Sequence, residues 1–164
     1  MSWFKNIFGK DEVKKKVEVQ KANIEFASFN YPPKIILAWI KAFEGNSEIG
    51  LFLLNNGYEE LYHTQQALLL NQVARNWLLK NGYPHLMAFV NASEGNESAQ
   101  KWLSIHGFEV LFEAGKAIDG DMESFKWLNQ LNDPLIFQLI KTIKQVKDQI
   151  EFNHNDMYTF GKDY

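Results

Sequence analysis

The stretch that decides the fold is Asn96–Ile118, which reads Asn-Glu-Ser-Ala-Gln-Lys-Trp-Leu-Ser-Ile-His-Gly-Phe-Glu-Val-Leu-Phe-Glu-Ala-Gly-Lys-Ala-Ile. Asn96 is suited to cap a helix, because its side chain can accept hydrogen bonds from the free amides of the first turn. The residues that follow at the i, i+3, i+4 and i+7 spacing of one helix face are Ala99, Trp102, Leu103 and His106. This spacing predicts an amphipathic helix.

The second half of the same stretch predicts a second helix. Gly107 comes just after the first helix, where a left-handed residue closes the last turn, and Phe108 can fold back onto that helix. His106, near the helix end, can satisfy a terminal carbonyl with its side chain. A second apolar set then consists of Leu111, Phe112, Ala114, Gly115 and Ile118. The stretch as a whole therefore predicts a pair of short helices.

This helical pair recurs along the chain at a spacing of about 25 residues, a period typical of repeat proteins. The capping column contains Asn46, Asn71, Asn96 and Asp121. The apolar column contains Leu53, Leu78, Leu103 and Leu128, and the turn column contains Gly57, Gly82 and Gly107. In the last unit Asn132-Asp133-Pro134 replaces the turn: Asn tolerates the left-handed conformation, and Asp can cap the next helix. A tryptophan column at Trp77, Trp102 and Trp127 is expected to pack in the core.

The repeat predicts an all-α protein, specifically a right-handed α-solenoid of about 25-residue two-helix repeats. Four units are clear and one N-terminal unit is degenerate. We expect the units near residues 23–45, 46–70, 71–95, 96–120 and 121–150, which together form a helical-repeat domain at 23–150. Residues 1–22 are predicted to form an amphipathic, charged lead-in helix, and residues 151–164 an irregular C-terminal tail.

The composition narrows the function classes. A formal net charge of −3 argues against generic nucleic-acid binding, which needs a basic surface. The absence of cysteine excludes disulfides, thiolate metal sites and a cysteine nucleophile. No apolar run approaches the roughly 20 residues that span a bilayer, so we expect a cytoplasmic protein. The stripe formed by Trp3, Phe4 and Phe8 is expected to pack across the first unit or to stay mobile; the alternatives are a weak membrane contact and a helix that docks a partner.

The pattern resembles a class of bacterial short-hairpin solenoids with units of the form Glu-Ala-Gln-x-x-Leu-Ile-x-x-Gly-Asn-x-Glu. The matching stretch here is Glu97–Glu109, and the resemblance covers roughly residues 24–143. Phe108 and Tyr83 stand where that pattern has Asn. The chain is also similar to the variant leucine-rich and HEAT-like repeats. The resemblance implies an α-solenoid that binds other macromolecules, and it brings no catalytic residues or cofactor.

Few residues suggest chemistry. Glu60 and His63 have the i, i+3 spacing used in helical di-iron sites, and with His85 they form the basis of an alternative: a metal-binding protein or an enzyme. A second alternative is a nucleic-acid-binding HEAT-like solenoid, although Arg75 is the only arginine.

The leading prediction is a non-catalytic protein-interaction or scaffold module without a cofactor, whose partner is another protein. In the second helix of each unit, the residues that point away from the apolar face are expected to line a mildly acidic groove. The residues we assign to this groove are Glu59, Glu60, His63, Gln66, His85, Glu109, Glu113 and Lys116.

Overall fold

The computed structural model describes residues 29–159 of the 164-residue chain, with side chains as far as His154. The predicted lead-in helix at residues 1–22, with Trp3, Phe4 and Phe8, lies outside the described residues. So do residues 23–28 of the degenerate unit and residues 160–164 of the predicted tail.

Between residues 29 and 159 the chain is all-helical and contains no β-strand, which confirms the all-α prediction. The helices of this range are α1 (Pro33–Phe43), α2 (Ser47–Asn55), α3 (Glu59–Leu68), α4 (Gln72–Lys80), α5 (Pro84–Ala92), α6 (Glu97–Ile105), α7 (Glu109–Asp119), α8 (Met122–Gln130) and α9 (Pro134–Thr159). Helices α2, α4, α6 and α8 begin at residues 47, 72, 97 and 122. The first residues of successive outer helices are thus as far apart in the chain as the capping residues Asn46, Asn71, Asn96 and Asp121.

The local signals of the sequence act as predicted. The side chains of Asn46, Asn71 and Asn96 accept from the amides three residues on, at 3.2, 3.1 and 2.9 Å. Asp121 caps α8 in the same way, with its Oδ1 3.1 Å from the amide of Ser124. The left-handed turn residues are Gly57, Gly82, Gly107 and Asn132, with φ of 84°, 82°, 77° and 54°. These caps and turns therefore set where each short helix begins and ends.

The helices form two layers. Helices α1, α3, α5, α7 and α9 make an inner layer, in which each contacts the next. Helices α2, α4, α6 and α8 make an outer layer, and each packs against the inner helices that precede and follow it in the chain. Helix pairs thus pack as the sequence columns predict.

The inner layer closes on itself, because α9 also packs extensively against α1. An open solenoid has no contact between its first and last units. Here Leu139, Ile140 and Ile143 of α9 are fully buried, so this helix contributes to the core. Phe29 contacts Trp39 of α1 and Phe89 of α5, at ring centroid distances of 5.8 and 5.3 Å, and helps to fill the interior.

The C-terminal prediction was wrong at residues 151–159, which continue α9 and do not form an irregular tail. No glycine or proline interrupts residues 135–160, so no residue there stops the helix. An ion pair between Lys144 and Asp148, with Nζ and Oδ1 2.9 Å apart, supports this part of α9 at i, i+4 spacing. The apolar period of the sequence ends near residue 150, and for this reason the helix was predicted to end there.

Candidate interaction surfaces

The structure does not bring the predicted groove residues into one groove. Glu59 and Glu109 are exposed at the first positions of α3 and α7. Glu60 and His85, assigned to the same outward columns, are only 1% and 4% exposed. The hydroxyl of Tyr31 donates to Oε1 of Glu60 at 3.0 Å, so part of the burial comes from the chain that precedes α1.

Three further groove residues, His63, Glu113 and Lys116, lie between an inner helix and the outer helix that follows it. The imidazole of His63 on α3 stacks on the indole of Trp77 on α4, with ring centroids 4.0 Å apart. Lys116 on α7 pairs with Asp121, the cap of α8, at 2.8 Å. Glu113 and Lys116 line a crevice of about 330 Å³ between α7 and α8. The outer layer therefore partly covers His63, Glu113 and Lys116, whereas Glu59 and Glu109 stay exposed.

Gln66, the last predicted groove residue, is half-buried on α3. The hydrogen bond between Lys116 and Asp121 lowers the pKa of the carboxyl and raises that of the ammonium. This pair fastens α8 to α7, which leaves the Lys116 charge engaged within the fold.

A chain of stacked rings runs across the amino-terminal ends of α3, α5 and α7. It starts at the His63–Trp77 pair, and Trp77 stacks in turn on Tyr83, with ring centroids 5.7 Å apart. Tyr83 contacts His85 at a tilted angle, and His85 stacks on Phe108 with ring centroids 5.2 Å apart. Trp102 stacks on Phe108 at 5.8 Å, and His106 stacks on Trp102 at 4.0 Å. The tryptophan column is half-buried against the core, so its members pack as predicted without being enclosed. His106 also places Nδ1 2.7 Å from the carbonyl oxygen of Trp102, the predicted helix-end contact.

Burial perturbs three groups of this chain of rings. It lowers the pKa of His85 to about 4 and lowers that of His63, because the charged imidazolium is desolvated there. Burial raises the pKa of Tyr83 to about 12, and the charges of Glu60 and Glu59 raise it further. His85 and Tyr83 are consequently neutral near pH 7, and their rings form packing contacts.

The metal alternative receives no support from the geometry of its residues. His63 stacks on Trp77, whereas His85 lies flat against Phe108. Among the residues that the structure describes, no three His, Asp or Glu side chains gather as ligands for a metal ion.

A notch opens at the opposite edge of the inner layer, where α9 continues past the carboxyl-terminal ends of α3, α5 and α7. We call it the α9 notch; its volume is about 550 Å³, and it is lined by Leu68, Leu70, Glu94, Asp119, Lys147, Ile150, Glu151 and His154. None of these residues was assigned to a site from the sequence. The notch combines an apolar part, three carboxylates and one ammonium.

Part of the notch wall is held by a network of charges. Both guanidinium ends of Arg75 donate to the carboxylate of Glu94, one of them at 3.1 Å. Lys147 of α9 approaches the same carboxylate, with Nζ 3.7 Å from Oε1, and this lysine is only 7% exposed. Arg75 also donates to the carbonyl oxygen of Ala67 at 3.2 Å, near the end of α3. Glu94 therefore ties α9 to α4 and to the end of α3.

Leu70 is the unusual residue of the notch. Its φ is +69°, a left-handed conformation that glycine adopts at the matching positions Gly45, Gly95 and Gly120. A leucine there costs about 1–2 kcal/mol of backbone strain. Its side chain is nevertheless 49% exposed. The break in this glycine column is the signal in the sequence that points to the notch.

Among the helices described, none is long and apolar enough to cross a membrane.

The sequence matches no family model, and neither a curated protein nor a solved structure matches it.

Proposed function

We propose that this chain is a non-catalytic protein-interaction module of the cytoplasm. Its helical pairs are units of about 25 residues in a short right-handed solenoid array, whose two ends α9 draws together. Because this closure fills the inner side, the partner binds at an edge of the inner layer and not in a concave groove. The α9 notch is the edge that we assign to the partner.

The observation that carries this proposal is Leu70. Its left-handed backbone is strained, and half of its apolar side chain is in contact with water. Both features oppose folding, and glycine at the same column avoids them. Unfavourable conformations of this kind persist where a site requires the side chain. An exposed apolar residue in a concave, charge-rimmed notch is suited to contact another protein.

A second surface belongs to the same proposal, since it keeps the acidic character predicted from the sequence. Glu59 and Glu109 are exposed at the amino-terminal edge of the inner layer, and each is the first residue of its helix. Carboxylates there are favoured by the helix dipoles, so this edge has a structural reason for its charge. Because the charge of this edge is explained by the fold, we consider the edge a weaker candidate for partner binding than the notch.

The experiment is a pull-down from an extract of the native cell with three immobilised variants. Leu70→Gly removes the side chain and relieves the strain, so it is expected to lose the partner while gaining up to about 1 kcal/mol of stability. Ile105→Ala, at an exposed leucine-sized side chain on α6, is the matched control and is expected to keep the partner. A double Glu59→Gln and Glu109→Gln variant reports on the amino-terminal edge.

Loss of the partner in the double glutamine variant alone would move the binding surface to the amino-terminal edge. Retention of the same partners by all variants would contradict the assignment of binding to either surface. Because Leu70→Gly is expected to be more stable than the parent, a loss of binding cannot be explained by unfolding.

A further inference from the structure

The geometry of the α9 notch points to the chemistry of its partner: a protein segment in which a lysine or arginine side chain lies beside an apolar one. This inference rests on the proposed function and names the class of segment that the notch would take.

The first reason is the set of carboxylates without a cation. Glu94 is engaged by Arg75 and Lys147. Asp119 and Glu151 also line the notch, both are exposed, and neither carboxylate forms an ion pair or a hydrogen bond within residues 29–154. Among the described residues, two carboxylates of the notch thus have no cation partner, whereas the one ammonium is buried beside Glu94.

The second reason is the direction of the inner helices. Leu68 is the last residue of α3, Asp119 is the last residue of α7, and Glu94 follows the end of α5 by two residues. The carboxyl-terminal ends of three helices therefore meet at the notch. Each helix end has a partial negative charge from its aligned peptide dipoles, which favours a cation within the last turn. The helix ends and the carboxylates of Asp119 and Glu151 therefore both favour a cation in the notch.

The third reason is the apolar part of the notch. Leu70, half exposed, and the partly buried Ile150 lie beside the charged groups. A metal ion or a small inorganic cation gains nothing from contact with an apolar surface. Lysine and arginine have apolar stems of three or four methylene groups below the charge, and these pack on apolar surface while the charge stays hydrated or paired. A neighbouring apolar residue in the same segment would cover Leu70.

The test uses the full chain labelled with ¹⁵N and three peptides followed by NMR titration at low salt. The peptides are Gly-Leu-Lys-Leu-Gly, Gly-Leu-Glu-Leu-Gly and Gly-Ser-Lys-Ser-Gly. We expect the first to bind about tenfold more tightly than either of the others, a difference of about 1.4 kcal/mol. The amide signals that shift should be those of Leu70, Asp119 and Glu151.

Two conservative variants and two controls make the test specific. Asp119→Asn and Glu151→Gln keep the shape of the side chain, and each is expected to weaken binding of the lysine peptide about threefold. Glu97→Gln and Glu123→Gln remove the same charge from exposed residues at the starts of α6 and α8 that do not line the notch, and should leave the affinity unchanged.

The inference is overturned if the glutamate peptide binds as tightly as the lysine peptide. It is also overturned if the four charge variants behave alike, because attraction by the net charge would then suffice. If Leu70→Gly still abolishes partner capture while no peptide shows a preference for lysine, the inference fails and the proposed function stands. If Leu70→Gly has no effect on capture, the inference and the assignment of binding to the α9 notch both fail.

Discussion

Two buried helical glycines, Gly115 and Gly50, are expected to respond to the same substitution with opposite signs. An ideal Cβ at Gly115 of α7 would lie 2.7 Å from the Cβ of Ala92 on α5, far inside a normal contact. An ideal Cβ at Gly50 of α2 would lie 3.8 Å from its nearest neighbours in Tyr62 and Gln65, an ordinary contact distance. The difference reports directly on how closely α5 and α7 approach within the inner layer.

The magnitudes follow from two effects of opposite sign. Replacing glycine by alanine inside a helix stabilises it by about 1 kcal/mol. At Gly50 this gain is expected in full, because the methyl group meets no obstacle. At Gly115 overpacking costs about 1–3 kcal/mol, since Ala92 has no rotamer to change and can move only with its helix. We therefore expect Gly50→Ala to gain about 1 kcal/mol and Gly115→Ala to lose about 1 kcal/mol.

The assay is urea unfolding followed by circular dichroism, supported by thermal melts. A change of 1 kcal/mol shifts the melting temperature of a chain of this size by about 2–4 °C, so the two variants should differ by about 4–8 °C. The double variant Ala92→Gly with Gly115→Ala provides the control, because removing the opposing methyl group should recover much of the loss. A Gly115→Ala variant as stable as Gly50→Ala would refute the close packing of α5 on α7.

Three further predictions concern caps, protonation and the charge network. Asn96→Ala is expected to lose about 1 kcal/mol of stability in urea unfolding, whereas Asn76→Ala on the exposed side of α4 should lose under about 0.5 kcal/mol; equal losses would contradict the capping role. The pKa of His85 is lowered to about 4 by burial, so as the pH falls His85 is protonated in the unfolded chain before it is protonated in the folded one. Stability is then fully present above pH 6.5 and decreases toward pH 4 by about 3 kcal/mol, and His85→Leu should flatten this part of the pH profile. Glu94→Gln leaves Arg75 without its carboxylate and should cost about 1–2 kcal/mol, whereas a matched Glu97→Gln should be nearly neutral by the same unfolding assay.

The local structure could be predicted because its causes are local. An asparagine that caps a helix and a glycine that closes it act on the few residues beside them, as Asn96 and Gly107 do here. The apolar columns likewise identified which helix faces are buried. These signals require no knowledge of how distant parts of the chain meet.

The closure of the inner layer could not be predicted in the same way. It depends on α9 meeting α1, which lies about a hundred residues earlier in the chain. A repeat pattern describes contacts between neighbouring units and is silent about the ends. The burial of Glu60 and His85 has a similar origin, since Tyr31 and Phe108 reach them from other helices or connections.

The α9 notch could not be predicted from the residues that the repeat columns share. Leu70 is informative since it differs from the glycines of its column. The other wall of the notch depends on α9 continuing past residue 150, where the apolar pattern had faded. Exceptions within a repeat are therefore the positions that deserve a functional hypothesis.

The most direct test of the central claim uses the absence of cysteine, which allows a single reactive thiol to be placed at will. Leu70→Cys labelled with a photo-crosslinker is compared with Ile105→Cys labelled in the same way, in an extract of the native cell. We predict a protein adduct at position 70 that is absent at position 105 and decreases in the Asp119→Asn background. The same adducts at both positions, or an adduct at position 70 that ignores Asp119, would contradict it.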